Sequence, residues 1–199
     1  LVGSEMCIRD SPCAALNQIK SRKQIKKPYS AVELELIRKS CTDDRDLALV
    51  EFLYSTGCRV SEVSELDTVD IDMATGECIV IGKGNKERTV YLTDVAMLHL
   101  QTYLNSRTDN SIALFAGKGT PRLTKGGIET LLKRIGRAAG VENVHPHRFR
   151  RTLATNLLDR GMNIQDVAMI LGHADLKTTQ IYCYITQTNV KSAYRKYAA

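Results

Sequence analysis

Apolar and polar positions follow two different periods along this chain, and the changes of period mark its elements. Ser30-Ala-Val-Glu33 is a capping box ahead of an apolar-periodic run through Ile37, so a helix begins there. A second helix fits Arg45 to Thr56 and stops at Gly57, and a short third fits Val60 to Leu66. The pattern then becomes strand-like. Cys78-Ile-Val-Ile and Thr89-Val-Tyr-Leu flank Gly82-Lys-Gly-Asn-Lys-Glu-Arg88, whose glycines and asparagine are turn formers, and the three together predict a hairpin with a basic tip. Thr93 caps a helix to about Tyr103, Leu114-Phe115 has the composition of one more strand, and Thr124 caps a helix through Ala139 to a stop at Gly140. From Pro146 the pattern is helical almost throughout: 147–160 before Gly161, 164–171 before Gly172, about 176–184, and 188–197. The expected fold is α+β, mainly α, with a small antiparallel sheet on one side.

Composition adds limits to this picture. A chain of 199 residues with 43% hydrophobic positions closes one ordinary core, which makes a single domain the expectation. No apolar run approaches the ~20 residues of a membrane span, and no charged-then-apolar signal opens the chain. The cysteines at 7, 13, 41, 58, 78 and 183 are scattered, without C-x-x-C or histidines at ligand spacing, so neither zinc nor a disulfide framework is indicated. Reduced thiols in a soluble, cytoplasmic protein are expected.

Residues 18–27 carry five positive charges and no acid ahead of Pro28, the signature of a solvated basic linker. The first eleven residues have no helical or strand period, place Met only at position 6, and resemble translated adapter sequence. Residues 1–28 are therefore expected to be a disordered leader and linker, with the ordered domain over 29–199. Lys and Arg number 28 against 22 acids, an excess that favours a polyanionic partner without naming it.

The chemistry sits on a few positions. His147, Arg150, His173 and Tyr182 crowd the C-terminal part, while Arg59 and the lysine-bearing turn at 82–88 lie far upstream. A tyrosine beside several Arg, Lys and His groups is an oxygen nucleophile placed where positive charge can hold a phosphodiester and stabilise its transition state. The implied reaction is transesterification on a nucleic-acid backbone. At 100° per residue, Phe149, Leu153 and Leu157 define a core stripe that Arg150 flanks, whereas Arg151 points nearly opposite, towards an external phosphate. Tyr184 is a rival nucleophile, since residues two apart on a helix face apart and only one can enter the pocket.

Thr56-Gly-Cys-Arg59-Val-Ser-Glu62, Gly82-Lys-Gly-Asn-Lys-Glu-Arg88, His147-Arg-Phe-Arg150, Leu171-Gly-His173 and Thr178-Thr-Gln-Ile-Tyr182, in that order, resemble the tyrosine recombinase (phage integrase) family over about residues 29–197, its C-terminal catalytic domain. Xer-type recombinases and integrases of conjugative transposons are the members it looks most like. The resemblance implies that Tyr182 is the nucleophile, that Arg59 and Arg150 clamp the scissile phosphate, and that Lys83 protonates the leaving oxygen, with Lys86 its competitor. It further implies proton transfer by His147, phosphate support by His173, and a Glu62 that orients Arg59 or His147. Lys86, Arg88, Arg148 and Arg151 are the expected DNA contacts. No metal or cofactor is implied, because always-charged arginines with planar paired donors take over the role that magnesium has elsewhere.

The expected partners are double-stranded DNA, three further copies of the chain in a homotetramer on paired sites, and an accessory DNA-bending or excision factor. The family's N-terminal core-binding domain has no counterpart in this sequence, which therefore reads as a fragment. Two other functions share these residues: relaxation of DNA by a type IB topoisomerase, and site occupancy by a catalytically idle integrase remnant.

Overall fold

The computed structural model describes residues 27–82, 84–173 and 175–183. Eight helices and three short strands follow one another as α1 (Ala31–Lys39), α2 (Asp44–Thr56), α3 (Val60–Glu65), β1 (Ile71–Asp72), β2 (Glu77–Gly82), β3 (Lys86–Tyr91), α4 (Asp94–Ser106), α5 (Lys125–Ala139), α6 (Pro146–Asp159), α7 (Ile164–Leu171) and α8 (Leu176–Cys183). The mainly helical fold with a small antiparallel sheet is the expected class. The helix projected over 188–197 lies outside the described residues.

Local chemistry explains most of the boundaries. Ser30 accepts from the Glu33 N–H at 3.2 Å while the Glu33 carboxylate accepts from the Ser30 N–H at 2.8 Å, the reciprocal cap read from the sequence. Thr93 and Thr124 cap α4 and α5 through their hydroxyls, and Gly140 ends α5 in the left-handed region. β2 and β3 pair antiparallel from Glu77 opposite Tyr91 to Gly82 opposite Lys86, and β1 adds to the other edge of β2. This third strand was not anticipated, since two residues show no period.

Leu114-Phe115 forms no strand. The Leu114 N–H reaches the Leu66 carbonyl at 2.9 Å, but the partner segment turns at once into a 3-10 turn over Thr68–Asp70, and only one bridge, Asp67 with Ala113, survives. Phe115 works instead as core, edge-on to Phe52 and stacked on Tyr103 at 5.8 Å each.

α2 is the central element, packed against α4 and α6, with Leu49, Phe52 and Leu53 fully buried. Its burial is so complete that two acids go inside, Asp46 and Glu51, each met by arginine: Arg45 and Arg134 for the first, Arg38 for the second. A satellite cluster of Ala154, Val167 and Leu171 seats α7 and α8 on α6, with Tyr182 packed against it. Ahead of α1 stands Tyr29, whose ring packs on Phe149 at 4.8 Å, whose N–H donates to Thr152 and whose hydroxyl accepts from the His145 N–H. The open face of the sheet borders a groove of about 690 Å³, with Ile79 and Ile81 on its floor and Glu65, Asp70, Asp72, Glu77 and Glu87 around it. Among the described residues no helix is long and apolar enough to cross a membrane.

Candidate active site

Three junctions, far apart in sequence, converge on one spot. The first is the turn between α2 and α3. Gly57 ends α2 at φ 60°, and a Cβ there would stand 2.9 Å from Leu153 and 3.1 Å from Leu171, so the turn requires glycine for its backbone and for the close approach of α6 and α7. Arg59 then opens α3. Its N–H donates to Glu62 Oε2 at 2.7 Å, and its Nη1 donates to Glu62 Oε1 at 2.8 Å.

The second is α6, which starts at Pro146. Arg150 stands on the flank of the buried Phe149 stripe and is itself only 4% exposed. Its guanidinium donates to the Gly57 carbonyl at 2.9 Å and to the Leu171 carbonyl, tying the first junction to the third.

The third is the turn from α7 to α8. Gly172 ends α7 at φ 63°, and three arginines donate to successive carbonyls there: Arg88 to Ile170 at 3.0 Å, Arg150 to Leu171, and Arg59 to Gly172 at 3.1 Å. Carbonyls at a helix C-terminus lack partners within the helix and carry its negative pole, so cations gather there naturally. His173 follows directly. Its Nδ1 lies 2.7 Å from Thr179 Oγ1, and its ring stacks near that of Tyr182, centroids 6.2 Å apart and 24° from parallel.

Charge sets the character of the cluster. Among the described residues, the carboxylate bonded to the cluster of Arg59, Arg88 and Arg150 is Glu62, whose two oxygens accept from Arg59 and Arg88. Burial raises the Glu62 carboxyl, but the hydrogen bonds and charge of Arg88 and Arg59 outweigh it and bring the pKa down to about 2. Burial, then repulsion from Arg59 and Arg88, lowers Arg150 to about 10, while the Tyr182 oxygen acts in the opposite sense. Burial, then the charges of Arg150, Arg59 and Arg88, lowers His173 to about 4, so its imidazole is neutral at physiological pH. When the Thr179 hydroxyl donates to Nδ1, the ring proton sits on Nε2, which is then a donor. The site is short of an anion.

The structure therefore brings Arg59, Arg150, His173 and Tyr182 together, with Glu62 behind Arg59. His147 stands exposed in the first turn of α6, one turn before Arg150 and edge-on to His145 at 6.4 Å. Lys86 is exposed at the start of β3; Lys83 and the rival Tyr184 lie outside the described residues.

Two expected DNA contacts point elsewhere. All three Arg88 nitrogens donate within the protein, to Ile170 and Glu62. Arg148 lies over the Tyr29 ring at 4.1 Å and donates to Glu33 at 2.6 Å and to the Glu142 carbonyl at 2.7 Å, so it fastens Tyr29 and α1 to α6. Arg151 is half-buried, its charge acting on the Tyr29 phenol. Thr179 went unnoticed in the sequence, although it sits one helical turn before Tyr182 and thus on the same face.

Known proteins carry the same framework. Tyrosine recombinase XerC of Oceanobacillus iheyensis is 42% identical over 162 residues, 76% of this chain and 53% of that protein, so the chain spans about half the length of this relative. The crystal structure of XerA recombinase superposes over 92% of this chain and 67% of its own with TM-score 0.77 and 28% identity. The XerH site-specific recombinase, solved bound to palindromic difH substrate in a post-cleavage complex, matches 88% of this chain and 54% of its own with TM-score 0.71 and 25% identity. The model of the phage integrase family matches residues 21–188, a stretch that holds all three junctions, and the chain belongs to that family.

Proposed function

We propose that this chain cleaves and rejoins DNA at specific sites through a covalent 3′-phosphotyrosyl intermediate on Tyr182. One observation carries the reading: among the described residues, the guanidinium groups of Arg59, Arg88 and Arg150 and the His173 ring gather about the site of Tyr182, with Glu62 the carboxylate bonded to two of them. A phosphodiester supplies the missing negative charge. Its transition state carries more than the ground state does, so fixed cations stabilise it preferentially.

In this reading Arg59 and Arg150 hold the two non-bridging oxygens, and His173 donates to one of them. The Tyr182 oxygen attacks phosphorus as its proton passes to His147, and the P–O5′ bond breaks as Lys83, or Lys86 in its place, protonates the leaving 5′-oxygen. The new ester conserves the bond, so a 5′-hydroxyl from a second strand reverses the step on a new partner without a cofactor. Arg151 and Lys86 would contact flanking phosphates. The full-length protein would work as a homotetramer on paired DNA sites in the nucleoid, with an accessory bending or excision factor.

The test is covalent capture. A nicked suicide duplex incubated in EDTA should give an adduct with the native chain and with Tyr184→Phe, and none with Tyr182→Phe. An adduct that persists in Tyr182→Phe and vanishes in Tyr184→Phe would transfer the nucleophile to the rival. Recombinant products in a two-site assay separate this reading from simple relaxation of supercoils.

A further inference from the structure

Arg88 reads in the sequence as one more positive charge on a DNA-facing hairpin, yet the folded chain spends it entirely inside. Its side chain is 11% exposed, and its fork meets both oxygens of Glu62, Nη1 to Oε1 at 2.8 Å and Nη2 to Oε2 at 2.7 Å. Its Nε holds the Ile170 carbonyl, two residues before the glycine that precedes His173. Its guanidinium also packs over Gly82, where a Cβ would lie 3.4 Å from Nη1; Gly82 directly precedes Lys83.

The same two Glu62 oxygens accept from the Arg59 backbone and side chain, so four donors saturate the carboxylate. With Arg88 in place, Glu62 receives a single side-chain hydrogen bond from Arg59. Arg59 thereby keeps its remaining donors for other acceptors.

We infer that Arg88 is a positioning residue of the active site: it occupies half of Glu62 so that the carboxylate aims Arg59 without enclosing it, and it fastens the lysine-bearing hairpin to the helix that leads into His173. This rests on the DNA-cleaving reading of the site. Without Arg88, Glu62 is a buried carboxylate with half its acceptors empty, and Arg59 is the adjacent guanidinium able to fill them by a paired contact. That contact would withdraw from the phosphate the donors it needs. Lysine does not replace Arg88, because one ammonium cannot span two carboxylate oxygens and a carbonyl on a third element.

The experiment compares wild-type chain, Arg88→Ala, Arg88→Lys, Glu62→Gln and the Glu62→Gln/Arg88→Ala double variant. Adduct formation is timed at saturating DNA on a pool of nicked duplexes of randomised sequence, affinity for the same pool is measured separately, and the Glu62 carboxyl of the free chain is titrated by carbon-13 NMR. Arg88→Ala should slow adduct formation about 10-fold or more while affinity changes less than about 3-fold. Arg88→Lys should not restore the rate, and the Glu62 carboxyl should titrate well above its wild-type value in both. The double variant should lose clearly less than the product of the two single losses, since the two residues share the Glu62–Arg88 contact while Arg88 keeps its separate hold on Ile170.

A wild-type rate in Arg88→Ala, or in Arg88→Lys should alanine fail to fold, overturns the inference. So does a loss that appears in affinity alone, which would make Arg88 a DNA contact, or an unmoved Glu62 titration. If the wild-type chain itself forms no adduct, the cleavage reading fails, and the titration still decides whether Arg88 governs Glu62.

Discussion

His173 is the residue whose surroundings change its chemistry most plainly. Lowered from 6.5 to about 4 by burial and by three neighbouring arginines, it resists the proton that an unfolded chain takes up readily. Between those two values the unfolded state binds more protons, so stability falls as pH drops through that window and the loss is complete below about 4. Urea unfolding from pH 7 to 4 should show this decline, and His173→Gln should flatten it; an equally steep decline in that variant would place the titration elsewhere. Glu62 has the same sign at lower pH, its contribution being lost between 4.5 and about 2. At this scale the sequence was most legible in which chemistry-bearing residues converge. Arg59, Arg150, His173 and Tyr182 do come together, at helix ends that the glycine stops already marked. Arg88 and Arg148 were misread because a basic side chain announces charge but not direction. For Arg88 the direction was available: strand side chains alternate, so it shares a face with Val90, which is fully buried.

Helix ends, more than helix interiors, make this site. Gly57 and Gly172 were legible as stops, but their second service, letting α6, α7 and β3 approach, depends on partners from distant sequence that no local pattern reveals. A Cβ at Gly172 would sit 2.9 Å from Arg88 Cδ and 3.0 Å from its Nε, whereas Gly140, with nearly the same φ of 64°, has open space around it. Gly140→Ala should therefore cost only the left-handed backbone strain, about 1 kcal/mol. Gly172→Ala should cost that and a displaced arginine, at least ~1 kcal/mol more, since a buried charged hydrogen bond is disturbed. Equal losses in urea unfolding would mean that Arg88 moves aside freely. The capping box at Ser30, the threonine caps and the hairpin were readable because their signals are local. The two-residue β1 was not, since its existence depends on β2 offering an edge.

Across the whole molecule charge is divided unevenly. The excess of basic residues coexists with a face where Glu65, Asp70, Asp72, Glu77 and Glu87 surround Ile79 and Ile81, a surface that repels a polyanion. Reversing two of these charges, Glu65→Lys with Glu77→Lys, should tighten binding to random duplex and steepen its salt dependence by up to about two in log–log slope. Unchanged binding would show that DNA never samples this face. The other end of the fold behaves differently. Ahead of α1, Arg148 clasps the Tyr29 ring, and Tyr29 is in turn bonded to His145 and Thr152 at either side of the first turn of α6. Tension applied to the backbone at Tyr29 would thus be delivered to the helix that carries His147 and Arg150.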